Sequence, residues 1–102
     1  MSSTISVIAK ITAQPGKRAD VVAGMATMLT HAASEPGTVV YTLLEDQADD
    51  DAIWVYEEYT DKAALDAHSS SDAMKALGGS IGPFLAGRPE IRVCNIAGGK
   101  GR

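Results

Sequence analysis

Only two of the 102 residues are histidines, and they stand in unlike places. His68 falls within YEEYTDKAALDAHSSSDAMKAL, where an aromatic, strand-like run gives way to two short helical stretches. Imidazole has an unperturbed pKa near 6.5, so histidine is the side chain best matched to taking a proton near pH 7. His68 is therefore the candidate general base. A carboxylate could orient it through the second ring nitrogen. Glu57 shares strand parity with Ile53, Val55 and Tyr59, while its neighbour Glu58 points the other way, and either could fill that role. His31 closes a helical stretch before Glu35-Pro36-Gly37 and reads as a helix-terminal surface residue.

Other chemistries lack their parts. Cys94 is the one cysteine, so no intramolecular disulfide and no metal-ligand spacing exist, and a small buried apolar side chain is its reading. The acidic run EDQADDD from Glu45 to Asp51 lacks the spacing and glycine of a calcium loop. Glycines at 78 to 82 are not followed by Lys-Ser/Thr, and the GGKGR tail has no helix behind it, so no phosphate cradle forms. Ser69 to Ser71 lack the turn of a nucleophile elbow and suit helix capping instead.

The elements that must position His68 follow from periodicity. Ile5 to Ala13 alternates as a strand. After Gln14-Pro15-Gly16, the residues Val21, Met25, Met28 and Ala32 fall at helical spacing and predict one helix over about Lys17 to Ser34. Glu35-Pro36-Gly37 stops it, because proline disfavours the helical region for the residue before it. Thr38 to Asp46 and Ala52 to Thr60 are rich in β-branched and aromatic residues and form a hairpin. Thr60 or Asp61 caps a short helix through Ala67; Ser70 or Ser71 caps another to Leu77, ended by Gly78-Gly79. Glu90 to Ala97 is the last strand. The order βαββαβ predicts an α+β, ferredoxin-like fold: a four-stranded antiparallel sheet with its helices on one face.

With 45% apolar residues, 102 residues suffice for one core and no more, so a single domain over 1–98 with a flexible tail over 99–102 is expected. Nine basic against 13 acidic residues, a net charge of −4, leave no basic stripe for nucleic acid and no polybasic run for a membrane. No signal-peptide pattern opens the chain and no apolar run approaches 20 residues, so a cytoplasmic protein is expected.

Both parities of the hairpin strands are apolar, with Tyr41, Trp54 and Tyr56 among them. A half-solvated antiparallel sheet would alternate with polar residues. A second copy packed sheet to sheet would bury the bare face, which makes Tyr41, Trp54 and Tyr56 candidate dimer-interface residues.

Glu35-Pro36-Gly37, Tyr56-Glu57-Glu58-Tyr59, Asp61, Ala64-Leu65, His68 and Ser71 together resemble the motif string of the antibiotic biosynthesis monooxygenase superfamily, in its small quinol monooxygenase-like branch. The resemblance covers nearly the whole chain. It implies a dimeric α+β barrel and, for several members, oxidation of quinols or polycyclic phenols by dioxygen with no flavin, haem or metal. Members often carry a second histidine and a phenylalanine after the first; here Ala73 and Met74 stand there. Haem-degrading relatives place an asparagine, a tryptophan and an iron-ligating histidine where this chain has Ala9, His68 and Gly78, so haem degradation is not expected.

The resemblance implies an enzyme that needs a base and a cavity. A phenolic hydroxyl, with tyrosine near pKa 10 as a guide, is mostly protonated at pH 7 and reduces dioxygen poorly until the proton leaves. His68 would take it. A dry pocket would shield the radical or peroxide intermediate, its walls drawn from Ala9, Met25, Met28, Val55, Tyr59, Met74, Ile81 and Phe84, with Ile81, Phe84 and Leu85 as a lid. The alternatives are a non-catalytic dimeric barrel that binds a small apolar ligand in stress or pathway regulation, and an isomerase-type activity on the same scaffold.

Overall fold

A computed structural model describes residues 3–101. Met1 and Ser2 of the expected domain, and Arg102 of the expected tail, lie outside the described residues. The chain folds as β1 (Ile5–Thr12), α1 (Arg18–Gly24), α2 (Ala26–Ser34), β2 (Thr38–Glu45), β3 (Ala52–Tyr59), α3 (Lys62–Ser69), α4 (Asp72–Ile81), a 3-10 turn (Gly82–Phe84) and β4 (Glu90–Asn95). The four strands form one antiparallel sheet in the order β2-β3-β1-β4. This is the ferredoxin-like α+β arrangement, with β3 and β1 in the centre and β4 on an edge beside β1 alone.

Strand alternation divides the sheet. Val7, Ala9 and Ile11 of β1 pair with Glu57, Val55 and Ile53 of β3, and these buried residues face the helices. Val21, Met25, Met28, Leu77 and Ile81 descend on them to make the main core. On the opposite face Ile8, Leu44, Trp54 and Tyr56 remain at least partly exposed. There the Trp54 indole N–H donates to Asp46 at 2.8 Å, and the Lys10 ammonium lies 5.5 Å from the Trp54 ring centroid.

Three features depart from expectation. The predicted single helix over Lys17 to Ser34 is two helices that break at Met25, whose N–H is shared between the Val21 and Val22 carbonyls at 3.1 and 3.2 Å. Just before the break, a Cβ on Gly24 would stand 2.8 Å from the Ile81 methyl Cγ2, so this glycine permits the close approach of α4. The Gly78-Gly79 pair does not end α4, which continues to Ile81 because Leu77 and Ile81, one helical turn apart, are both buried in the core. Packing outweighs the cost of two glycines, about 1 kcal/mol each.

The third departure concerns Tyr41. A register shift between Thr38 and Val40 accommodates an extra residue, and Tyr41 pairs with Glu57 on the helix-covered side. It is therefore not on the bare face with Trp54 and Tyr56. Its ring packs against His68, with centroids 5.3 Å apart.

Candidate active site

The two caps that frame His68 are Asp61 and Ser71. The Asp61 carboxylate accepts the Ala64 N–H at 2.8 Å and starts α3; the Ser71 hydroxyl accepts the Met74 N–H at 3.2 Å and starts α4. Ser71 also donates its hydroxyl to the His68 carbonyl at 2.8 Å, which ties the last turn of α3 to the first turn of α4. His68 thus sits inside α3, one residue before its end, and points inward with only 3% of its surface exposed.

Its ring is held from β2's side of the fold. Nδ1 of His68 lies 2.8 Å from Oε1 of Glu35. The same oxygen accepts the Thr38 hydroxyl at 2.9 Å, and the other carboxyl oxygen lies 3.1 Å from Nε2 of His31. Both histidines of the chain converge on one carboxylate. Burial opposes its ionisation, but hydrogen bonds from His68 and Thr38 and the charges of the two histidines outweigh that and hold the Glu35 carboxyl below its ordinary range.

Local geometry explains why Glu35 arrives there. Pro36 keeps Glu35 extended at φ −86°, ψ 114°, turning the chain out of α2. The next residue, Gly37, lies so close to α3 that an added Cβ would overlap the Ala64 Cβ. The Gly37 carbonyl also accepts the Thr60 N–H at 3.0 Å. A bare backbone at position 37 presses the Glu35 loop onto the helix that carries His68.

Glu57 enters the same neighbourhood from β3. It is 7% exposed, and one of its oxygens accepts the Tyr59 hydroxyl at 2.5 Å. Burial raises its pKa against the hydrogen bond from Tyr59 and the charge of His68, and the Glu35 charge adds to the rise. Burial likewise pushes the Tyr41 and Tyr59 hydroxyls up, reinforced by Glu57, so both stay protonated. The expected support of His68 by Glu57 is corrected: the carboxylate hydrogen-bonded to its ring is that of Glu35, 33 residues back in the chain. Glu58 lies on the open face, where it accepts hydroxyls from Ser3 and Tyr56.

A cavity of about 390 Å³ opens beside these groups, walled by Val7, Leu65, Met74, Ile91 and Val93, with His68 and Glu57 in its lining and Lys62, Asp66 and Ser69 completing it. Every fully buried side-chain nitrogen and oxygen among the described residues has a hydrogen-bond partner. His68 is bonded through Nδ1 and Glu57 through Oε1. Nε2 of His68 and Oε2 of Glu57 therefore keep contact with open space rather than being sealed without a partner.

The expected walls are placed differently. Met74 lines this cavity, but Ala9, Met25, Met28, Val55 and Ile81 belong to the close-packed core, and Phe84 packs against that core from outside. Tyr59 is fully buried and flanks His68 with its ring centroid 5.4 Å away. The reason is lateral: α1, α2 and α4 fill the space over β1 and β3, whereas no helix covers β4, whose Ile91 and Val93 are 55% and 58% exposed and whose Cys94, expected to be buried, is exposed with them. A broader hollow of about 1040 Å³ on the open face is lined by Ser6, Val40, Tyr56, Glu58 and residues following β4. It contains neither histidine. No group of three or more His, Cys, Asp or Glu side chains placed to hold a metal ion occurs among the described residues.

The antibiotic biosynthesis monooxygenase family model matches residues 4–78, three quarters of the chain, including Glu35, Glu57 and His68. The chain belongs to the antibiotic biosynthesis monooxygenase family. A Caulobacter crescentus protein whose crystal structure bears this family's name is 31% identical and superposes with a TM-score of 0.87, over 94% of this chain and 92% of that one. A Mycobacterium tuberculosis protein, at 24% identity and a TM-score of 0.86 over 96% of this chain and 99% of that one, shares the fold. An uncharacterised Synechocystis protein is 29% identical over 93 residues, 91% of this chain; the chain spans 63% of that relative's length. The family match ends at Gly78, so the β4 wall of the cavity, Ile91 and Val93, lies outside it.

Proposed function

We propose that this family member is a cofactor-independent monooxygenase that oxidises a quinol or related polyphenolic aromatic with dioxygen. The observation that carries the reading is a buried histidine held at Nδ1 by an ionised carboxylate and standing in the lining of a largely apolar cavity. Glu35 fixes the tautomer with its proton on Nδ1 and leaves the Nε2 lone pair as the acceptor. His68 then takes the phenolic proton, and the Glu35 charge stabilises the imidazolium that results. Such a base contributes about 10²- to 10⁴-fold.

The anion passes an electron to dioxygen, and the apolar walls keep water from the reduced species. The balanced reaction is quinol plus dioxygen to hydroxyquinone plus water. Glu35 acts through His68 and is a positioning residue, supported by Thr38 and His31. The working unit is a homodimer in which the open face, with Ile8, Leu44, Trp54 and Tyr56, packs on its copy, because exposed apolar side chains on a sheet face gain by mutual burial.

The test is oxygen consumption by metal-free protein with a panel of hydroquinones, with the oxidised product identified by mass. Uptake that yields a hydroxyquinone and falls in His68→Ala supports the reading. Absence of uptake across the panel, or uptake indifferent to His68→Ala, overturns it.

A further inference from the structure

We propose that Glu57 is a second catalytic residue, a carboxyl group that gives a proton to the peroxide intermediate and then, as carboxylate, removes the ring C–H proton. The inference rests on the quinol reading above and assigns the steps that His68 leaves undone. His68 can take one proton and return it, but the route to hydroxyquinone and water makes four transfers: one from the hydroxyl, one onto the peroxide, one off the ring carbon that dioxygen attacks, and one onto the hydroxide that leaves.

Glu57 stands where those transfers occur. Glu57 lines the cavity with His68, its Oε1 accepts the Tyr59 hydroxyl, and its Oε2 is not sealed away without a partner. Lys62 and Asp66, one charge of each sign, share that lining. Val7 from β1 and Tyr41 from β2 are the cross-strand partners of Glu57, Leu65 and His68 reach the cavity from α3, and the negative charge of Glu35 lies beyond His68. Glu35 has already claimed the position on the imidazole, so His68 offers Glu57 a long-range charge and no hydrogen bond. Burial is the largest influence on the Glu57 carboxyl and raises its pKa. Two carboxyls flank one histidine and are driven in opposite directions, so Glu57 holds a proton more readily than Glu35 does.

The steps balance. His68 accepts a hydroxyl proton; the quinol anion and dioxygen combine through one-electron transfer to form a C–O bond, leaving a peroxy anion on an sp³ ring carbon. Glu57 gives that anion its proton. The Glu57 carboxylate next takes the hydrogen from the same carbon, the C–H electron pair becomes the π bond of a new carbonyl, and the O–O bond breaks to release hydroxide. The His68 imidazolium protonates the hydroxide to water. Both residues end as they began, with one oxygen atom in the product and one in water.

Glu57→Gln is the decisive variant, because it keeps the shape and neutrality of the protonated acid and can neither give up the proton nor take another. Infrared spectra of the wild type taken through an acid titration should contain a protonated-carboxyl band that Glu57→Gln lacks and that persists to higher pH than an ordinary glutamate, near 4.3, would allow. With hydroquinone as the substrate, the variant should lose about 10²-fold or more in kcat with little change in KM. Its remaining oxygen uptake should shift from hydroxyquinone and water toward quinone and hydrogen peroxide, since the peroxide adduct is no longer resolved. Glu57→Asp, which restores a carboxyl, should recover part of the hydroxyquinone yield. A wild-type titration without that persistent band, or a variant that forms hydroxyquinone at the wild-type rate, overturns the role of Glu57 while leaving His68 as base. A wild type that consumes no oxygen with any hydroquinone overturns the quinol reading and this step with it.

Discussion

Replacing Glu35 by alanine removes the acceptor shared by His68, Thr38 and His31. The three donors do not lose equally. The side chain of His31 is 35% exposed and Thr38 is only partly buried, so both can turn to water, whereas His68 is 3% exposed and its Nδ1–H is left without a partner. One buried, unsatisfied donor costs about 1–3 kcal/mol. With about 2 kcal/mol lost and a urea dependence of roughly 1.5 kcal/mol/M for a chain of this size, the unfolding midpoint should drop by roughly 1 M. Glu35→Gln, which keeps one acceptor oxygen, should lose less.

The pH dependence carries the sign. The folded-state pKa of Glu35 is depressed, so its contribution is fully present above the unfolded value near 4.3 and is lost as pH falls through the lower folded value. The wild type should therefore lose its advantage over Glu35→Gln as acid is added below about pH 4.3. Urea titrations at fixed protein concentration, at neutral and acid pH, decide it. A Glu35→Ala variant within about 0.5 kcal/mol of wild type, or a wild-type advantage that survives acid, would refute the bridging role.

Gly37→Ala should destabilise by about 1–3 kcal/mol, because the new Cβ collides with that of Ala64, and Ala64→Gly in the same chain should return part of the loss in a thermal melt. His68→Ala should keep the fold and lose about 10²-fold or more in kcat at pH 7, with the deficit shrinking at high pH where solution supplies the phenolate; a constant deficit across pH contradicts a base. Trp54→Asp should place a charge in a desolvated sheet-to-sheet contact and yield monomer in sedimentation, and a wild type that sediments as monomer at micromolar concentration rules the contact out.

The strands were legible because alternation and β-branched residues mark them directly, and each begins where expected and ends within two residues of expectation. Of the alternatives offered for the caps, Asp61 and Ser71 are the ones used. The break at Met25 and the run of α4 through Gly78-Gly79 depend on contacts with Ile81 and with the core, which no local pattern carries. The shift near Val39 reversed Tyr41, since one inserted residue exchanges the faces of a strand. Glu35 was hidden behind its own helix-stop motif. Its spacing of four from His31 hinted at a pair, but its approach to His68 needed the hairpin register, which places Thr38 opposite Tyr59 and so brings the start of β2 beside α3.

The sheet order β2-β3-β1-β4 also sets a schedule for synthesis. Glu35, Glu57 and His68 all leave the ribosome before the strand that supplies Ile91 and Val93, and that strand must find β1, with Ile5 pairing to Asn95 across almost the full chain. Such distant pairing is slow, because the loop must close before any contact rewards it. Glu57 and His68 are thus set within a hairpin and the helix after it while two of the cavity's apolar wall residues, Ile91 and Val93, are still missing. A nascent chain halted before residue 90 would leave Glu57 and His68 beside a groove that lacks its β4 side, and only the last strand supplies that side.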